Sequence, residues 1–74
     1  MAKGDIHVMP DKGRWKVETE GSNRVKSRHD RQKDAIQAGR ASARRAKVEL
    51  LVHGRNGQIR DRSSYGNDPR RIPG

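Results

Sequence analysis

The chain has 74 residues, with 18 Lys and Arg against nine Asp and Glu, a formal net charge of +9, and only 28% hydrophobic residues. That is one small domain with a thin core, too small for two active domains or a roomy enclosed substrate cavity. With no cysteine, disulfides, thiolate zinc sites, iron–sulfur clusters and Cys nucleophiles are excluded. No apolar run approaches the roughly 20 residues of a membrane span, and Met1–Pro10 lacks a signal-peptide apolar region. The expectation is a soluble, cytoplasmic protein.

The first predicted strand is Asp5–Met9, with Ile6 and Val8 on one side and Pro10 ending it. After the turn Asp11–Gly13, Arg14–Glu20 alternates, placing Trp15, Val17 and Thr19 on one face and Arg14, Lys16, Glu18 and Glu20 on the other. Gly21–Asn23 turns the chain into a weaker strand, Arg24–Arg28, with Val25 and Ser27 inward and Arg24, Lys26 and Arg28 outward.

Asp30 is positioned to N-cap a helix running to about Lys47. Its inner stripe is small: Ala35, Gly39, Ser42, Ala43 and Ala46, with Ile36 at the margin. Such a helix packs close to a sheet that supplies the large side chains. Its outer stripe is Lys33, Gln37, Arg40, Arg44 and Lys47.

Val48–Val52 is the most apolar run and is predicted as a central strand. Asn56-Gly57 predicts a two-residue type I′ hairpin to the partner strand Gln58–Arg62, setting Val52 opposite Asp61 and His53 opposite Arg60. The expected fold is α+β, a small twisted antiparallel sheet of four to five short strands with one helix across one face, order ββ(β)αββ. Residues 1–62 form the single domain; residues 63–74 are read as an irregular C-terminal segment with a mobile end.

Several segments together resemble a family: Gly4-Asp-Ile-His-Val8, Trp15 with Val17, the Ala-rich helix, Val52-His-Gly-Arg-Asn-Gly-Gln-Ile-Arg60 and Ser64-Tyr-Gly-Asn-Asp-Pro69. They look like the small bacterial and phage family called domain of unknown function 2188. The resemblance covers nearly the whole chain and implies a compact, stand-alone bacterial domain. It implies no activity. The tail Pro69-Arg-Arg-Ile-Pro73 adds charge outside that pattern.

Residues 12–47 carry twelve basic and four acidic residues, a net of +8, which is nearly all of the excess. A balance of this kind attracts polyanions, nucleic acid first. Arg14, Lys16, Arg24, Lys26 and Arg28 are the primary candidates, as an open basic sheet face; a β-ribbon fits a DNA major groove. The element order is similar to the DNA-binding domains of plant ethylene-response factors and the arm-type domains of phage integrases, an analogy of order alone. Secondary candidates are the helix residues Lys33, Arg40, Arg44 and Lys47, with Arg45 beside them, then Tyr65, Arg70 and Arg71.

Trp15 reads as core, which leaves Tyr65 for stacking and favours duplex DNA over RNA or single strands. The other reading of Tyr65 is that it closes one end of the core. His7, His29 and His53 have no metal-ligand spacing, so neither metal nor cofactor is expected. Ser63 and Ser64 have no base beside them, and no enzymatic activity is expected. The alternative is an interaction module for an acidic protein, or a homodimer in which Val48–Val52 or the first strand pairs across a two-fold axis.

Overall fold

The computed structural model describes residues 4–22 and 24–65. The elements are β1 (Ile6–Asp11), β2 (Arg14–Thr19), β3 (Val25–His29), α1 (Gln32–Ala46), β4 (Glu49–His53) and β5 (Ile59–Ser64). The strands form one sheet of order β3-β2-β1-β4-β5. The fold is α+β, with five strands and one helix as the patterning predicts.

The sheet is mixed rather than wholly antiparallel. β1 and β4 are parallel, in the register Ile6 to Leu50, His7 to Leu51 and Val8 to Val52. The cause is α1, which carries the chain from edge strand β3 over the sheet to the far side of β1; parallel neighbours need such a crossover. Both β1 and β4 are therefore interior strands. This corrects the expected homodimer geometry, because neither the Val48–Val52 run nor the first strand has a free edge. The edges are β3 and β5.

The core lies between α1 and one sheet face. Ile6, Val8, Trp15, Val17, Leu50 and Val52 from the sheet are buried against Ala35 and Ala43 of the helix. Burying each large apolar side chain is worth about 1.5–3 kcal/mol. The helix approaches closely because Gly39 is buried in its inner face. A Cβ there would stand 2.9 Å from Val8 Cγ2 and 3.0 Å from Leu50 Cδ1.

Pro10 continues β1 instead of ending it, opposite Trp15. The hairpin closes on the Asp11–Arg14 pair, so Pro10–Trp15 is the alternate pair that exchanges no backbone bonds, and pairing with β4 stops at Val8. The missing N–H is not needed. The type I′ geometry belongs to this hairpin, with Lys12 at φ 53° and Gly13 at φ 83°. The Asn56-Gly57 turn differs from the expected one, since Gly57 alone has positive φ there. Its N–H bonds to the Gly54 carbonyl at 2.9 Å, and the Asn56 side chain accepts from the Gln58 N–H at 3.1 Å. The longer loop shifts the register: Val52 faces Asp61 as predicted, but His53 faces Ile59 and Arg60 is left unopposed in a bulge. β5 runs on to Ser64, two residues past the expected domain end.

Asp30 does not cap α1. Arg31 holds the N-cap position without a side-chain bond, while Asp30 pairs with Arg14. Asp34 in the first turn and Arg44 and Arg45 in the last complement the helix dipole. Ala46, expected inside, is exposed. The helix ends at Lys47, in the left-handed region at φ 59°, with the Val48 N–H returning to the Ala43 carbonyl at 3.0 Å.

Candidate nucleic-acid interface

The open face of the sheet is where the sequence places its basic residues. Arg14, Lys16 and Arg28 do stand there, on the side away from the core, with Lys16 directly opposite Arg28. Each has an acid at hand. Arg14 Nε is 2.9 Å from Asp30, Lys16 Nζ is 3.1 Å from Glu18, and Arg28 Nε is 3.2 Å from Asp11. Further along, Arg62 pairs with Glu49 at 3.4 Å. Surface pairs of this kind add little stability, but they cancel the field a phosphate would feel.

Arg24 and Lys26 do not join that face as predicted. A bulge between Val17 and Glu18 leaves Lys26 unopposed and sets Val25 opposite Glu18, so Val25 faces outward with the charges rather than inward. Lys26 instead lines a cleft on the helix side with Ser42 and Arg45. Arg24 precedes β3, exposed, its N–H bonded to the Ser22 hydroxyl at 3.1 Å. Five predicted contact residues thus divide into three paired cations on the open face and two elsewhere.

The helix carries the contrasting surface. Lys33, Arg40, Arg44, Arg45 and Lys47 are exposed, and Arg31 precedes them. Among the described residues none of these six takes part in an ion pair. Asp34 is the one acid on this helix. The second bulge adds to the same side: Arg60 of β5 donates to Gln32 at the start of α1, 3.4 Å away. Arg31 and Arg60 were not among the predicted site residues, while Arg45 was placed beside the helix stripe. Alternation along β5 puts Arg60 on the open sheet face, and only the bulge brings it to the helix side.

Tyr65 closes one end of the core, its N–H bonded to the Val48 carbonyl at 3.3 Å. Arg44 lies over its ring, 5.7 Å from the centroid. Trp15 is 6% exposed. Neither ring is a free stacking platform. Arg70 and Arg71 lie outside the described residues.

The open face holds one more constellation. His53 Nδ1 donates to the Gly57 carbonyl at 3.0 Å, His7 Nδ1 and His53 Nε2 are 2.9 Å apart, and His7 Nε2 meets Glu20 at 2.5 Å. All four ring nitrogens are engaged in these contacts. The three contacts form one chain from the Glu20 carboxyl through His7 and His53 to the Gly57 carbonyl. It ties β1 and the end of β2 to the β4–β5 turn. His29, on the core side of β3, bonds to the Ser27 hydroxyl at 2.8 Å.

Among the described residues no helix is long and apolar enough to cross a membrane. No curated protein and no solved structure matches the chain. A family model described as an uncharacterized protein conserved in bacteria, domain of unknown function 2188, matches residues 6–65. The chain belongs to that bacterial family.

Proposed function

We propose that this protein binds nucleic acid, duplex DNA in particular, through the exposed face of α1. The observation that carries this reading is the absence of any ion pair, among the described residues, at Lys33, Arg40, Arg44, Arg45 and Lys47. Fifteen residues of helix extend about 22 Å, enough to lie along several phosphates. Cations without acid partners release counterions from a polyphosphate without first losing a salt bridge. The sheet-face cations must give up Asp11, Glu18 or Asp30 to do the same, so the helix replaces the sheet as the proposed contact surface.

Duplex is favoured over single strand because Trp15 is buried and Tyr65 is covered by Arg44. Contacts are mainly to phosphates. No chemical step is assigned to the protein, and a cytoplasmic place follows from a DNA ligand.

The test is fluorescence anisotropy with a random duplex at several salt concentrations. About five phosphate contacts give a slope of log K against log salt near −4.5. The Lys33→Ala, Arg40→Ala, Arg44→Ala, Lys47→Ala variant is expected to lose most of that slope. A flat salt response in the wild type overturns the reading. Equal affinity for polyglutamate of matched charge would put an acidic protein in the place of DNA.

A further inference from the structure

The bulge in β3 creates a feature that alternation along the strand would not. It turns Lys26 away from the open face that Arg28 occupies and into a cleft of about 340 Å³ between β3 and the last turn of α1. Lys26 of β3 and Arg45 of α1 both line it, together with the hydroxyl residues Thr19 and Ser42. Ile6 and Val48 are among its apolar lining. No acid lines this cleft, and neither Lys26 nor Arg45 has an ion pair among the described residues. By contrast, the cleft of about 220 Å³ at the other face has Glu18 and Glu20 in its wall, and the cleft of about 300 Å³ beside Trp15 has Asp30. Of these three, the Lys26 cleft alone joins two unpaired cations to hydroxyl donors.

We propose that this cleft is a phosphoryl-binding site, in which Lys26 and Arg45 neutralise the anion and Thr19 and Ser42 donate hydrogen bonds to its oxygens. The assignment of a DNA backbone phosphate as its occupant rests on the helix-face reading above; the phosphoryl chemistry does not. The site lies at a helix C-terminus, whose dipole contributes about half a negative charge. Lys26, Arg44, Arg45 and Lys47 around that turn exceed it several-fold. Bulges commonly re-aim one side chain next to a site, and here the re-aimed side chain is the one from β3. The ammonium suits this role because its three donors rotate freely to meet a tetrahedral anion.

The test uses the full chain labelled with ¹⁵N and two probes, inorganic phosphate and a short duplex. Inorganic phosphate, added at constant ionic strength against chloride, is expected to shift the backbone amides of Lys26, Ser42 and Arg45 and to leave those of Lys33 and Gln37 in place. The Lys26→Gln variant is expected to lose these shifts and to weaken duplex binding about five-fold, with Lys26→Arg retaining most of both. The thermal midpoint of each variant shows that the fold is kept. If phosphate shifts the cleft and the duplex does not bind at all, the site holds a small phosphate ester, and the helix-face reading falls while the cleft assignment stands. If the duplex binds through α1 with phosphate shifts absent and Lys26→Gln indistinguishable from wild type, the cleft assignment is overturned and the helix-face reading stands.

Discussion

The two faces of this domain carry charge in opposite ways. On the open sheet face, Arg14, Lys16, Arg28 and Arg62 stand against Asp30, Glu18, Asp11 and Glu49, and the His7–His53 pair stands against Glu20. On the helix face, Lys33, Arg40, Arg44, Arg45 and Lys47 surround a single acid, Asp34. Both faces are rich in basic residues, so a count of Lys and Arg does not distinguish them. The difference is where the acids lie, and strand pairing decides that. Asp11 reaches Arg28 across β2, and Asp30 reaches Arg14 because the end of β3 lies alongside the start of β2. A field strong enough to gather phosphates needs excess charge of one sign, and only the helix face has it.

The widest predicted separation is between matched variants of the two faces. Removing Lys33, Arg40, Arg44 and Lys47 together lowers the salt slope of duplex binding by about 3.6, at roughly 0.9 per contact. Changing Arg14, Lys16 and Arg28 to Ala is expected to alter affinity less than about two-fold, since a salt slope that barely moves accompanies loss of already neutralised charges. Similar losses from the two variants would erase the contrast.

Packing gives the next effect. Gly39→Val places methyl groups where even a Cβ meets Val8 and Leu50. It is expected to cost about 3 kcal/mol, the upper end for overpacking a core, read as a lower urea midpoint at unchanged m-value. An unaffected midpoint would mean that the helix stands farther from the sheet than described. Gly39→Ala is expected to cost about 1 kcal/mol, since its better helix propensity offsets part of the clash.

The contrast can also be sharpened from the acid side. Asp11→Asn, Glu18→Gln and Asp30→Asn together release Arg28, Lys16 and Arg14. The variant is expected to bind duplex more tightly and to steepen the salt slope by one to two units, at about 0.9 per phosphate newly contacted. No gain would mean that the sheet face is shaped against a duplex as well as neutralised. The smallest effect concerns the histidines. Glu20→Gln replaces the carboxyl group at His7 Nε2 with an amide. The ring ¹⁵N shifts of both His7 and His53 are expected to change in the variant, since their contacts form one chain; an unchanged His53 would contradict that chain.

Much of this was readable from residue order. Alternation in Ile6-His7-Val8 and Trp15-Lys16-Val17 assigned core and outer faces correctly, because a strand's side-chain period is two whatever it pairs with. The small stripe of Ala35, Gly39 and Ala43 correctly marked a helix lying close to a sheet. The turns were less legible. Lys12-Gly13 forms the mirror-image turn that Asn56-Gly57 advertises, since a turn's type depends on how many residues the flanking strands leave for it. The bulges were not legible at all. Each depends on the register of a partner strand, and each moves one cation, Lys26 or Arg60, to the other side of the sheet.

Residue order is enough for a small basic α+β domain, its strands and helix, its buried Trp15 and the sign of its charge, because these follow from local period, turn residues and composition. The tertiary structure alone decided the parallel β1–β4 pairing, which strands are edges, and which cations keep an acid partner. Those depend on distances between residues far apart in the chain, such as Arg14 and Asp30 or His7 and His53, and such distances exist only once the strands have chosen their neighbours.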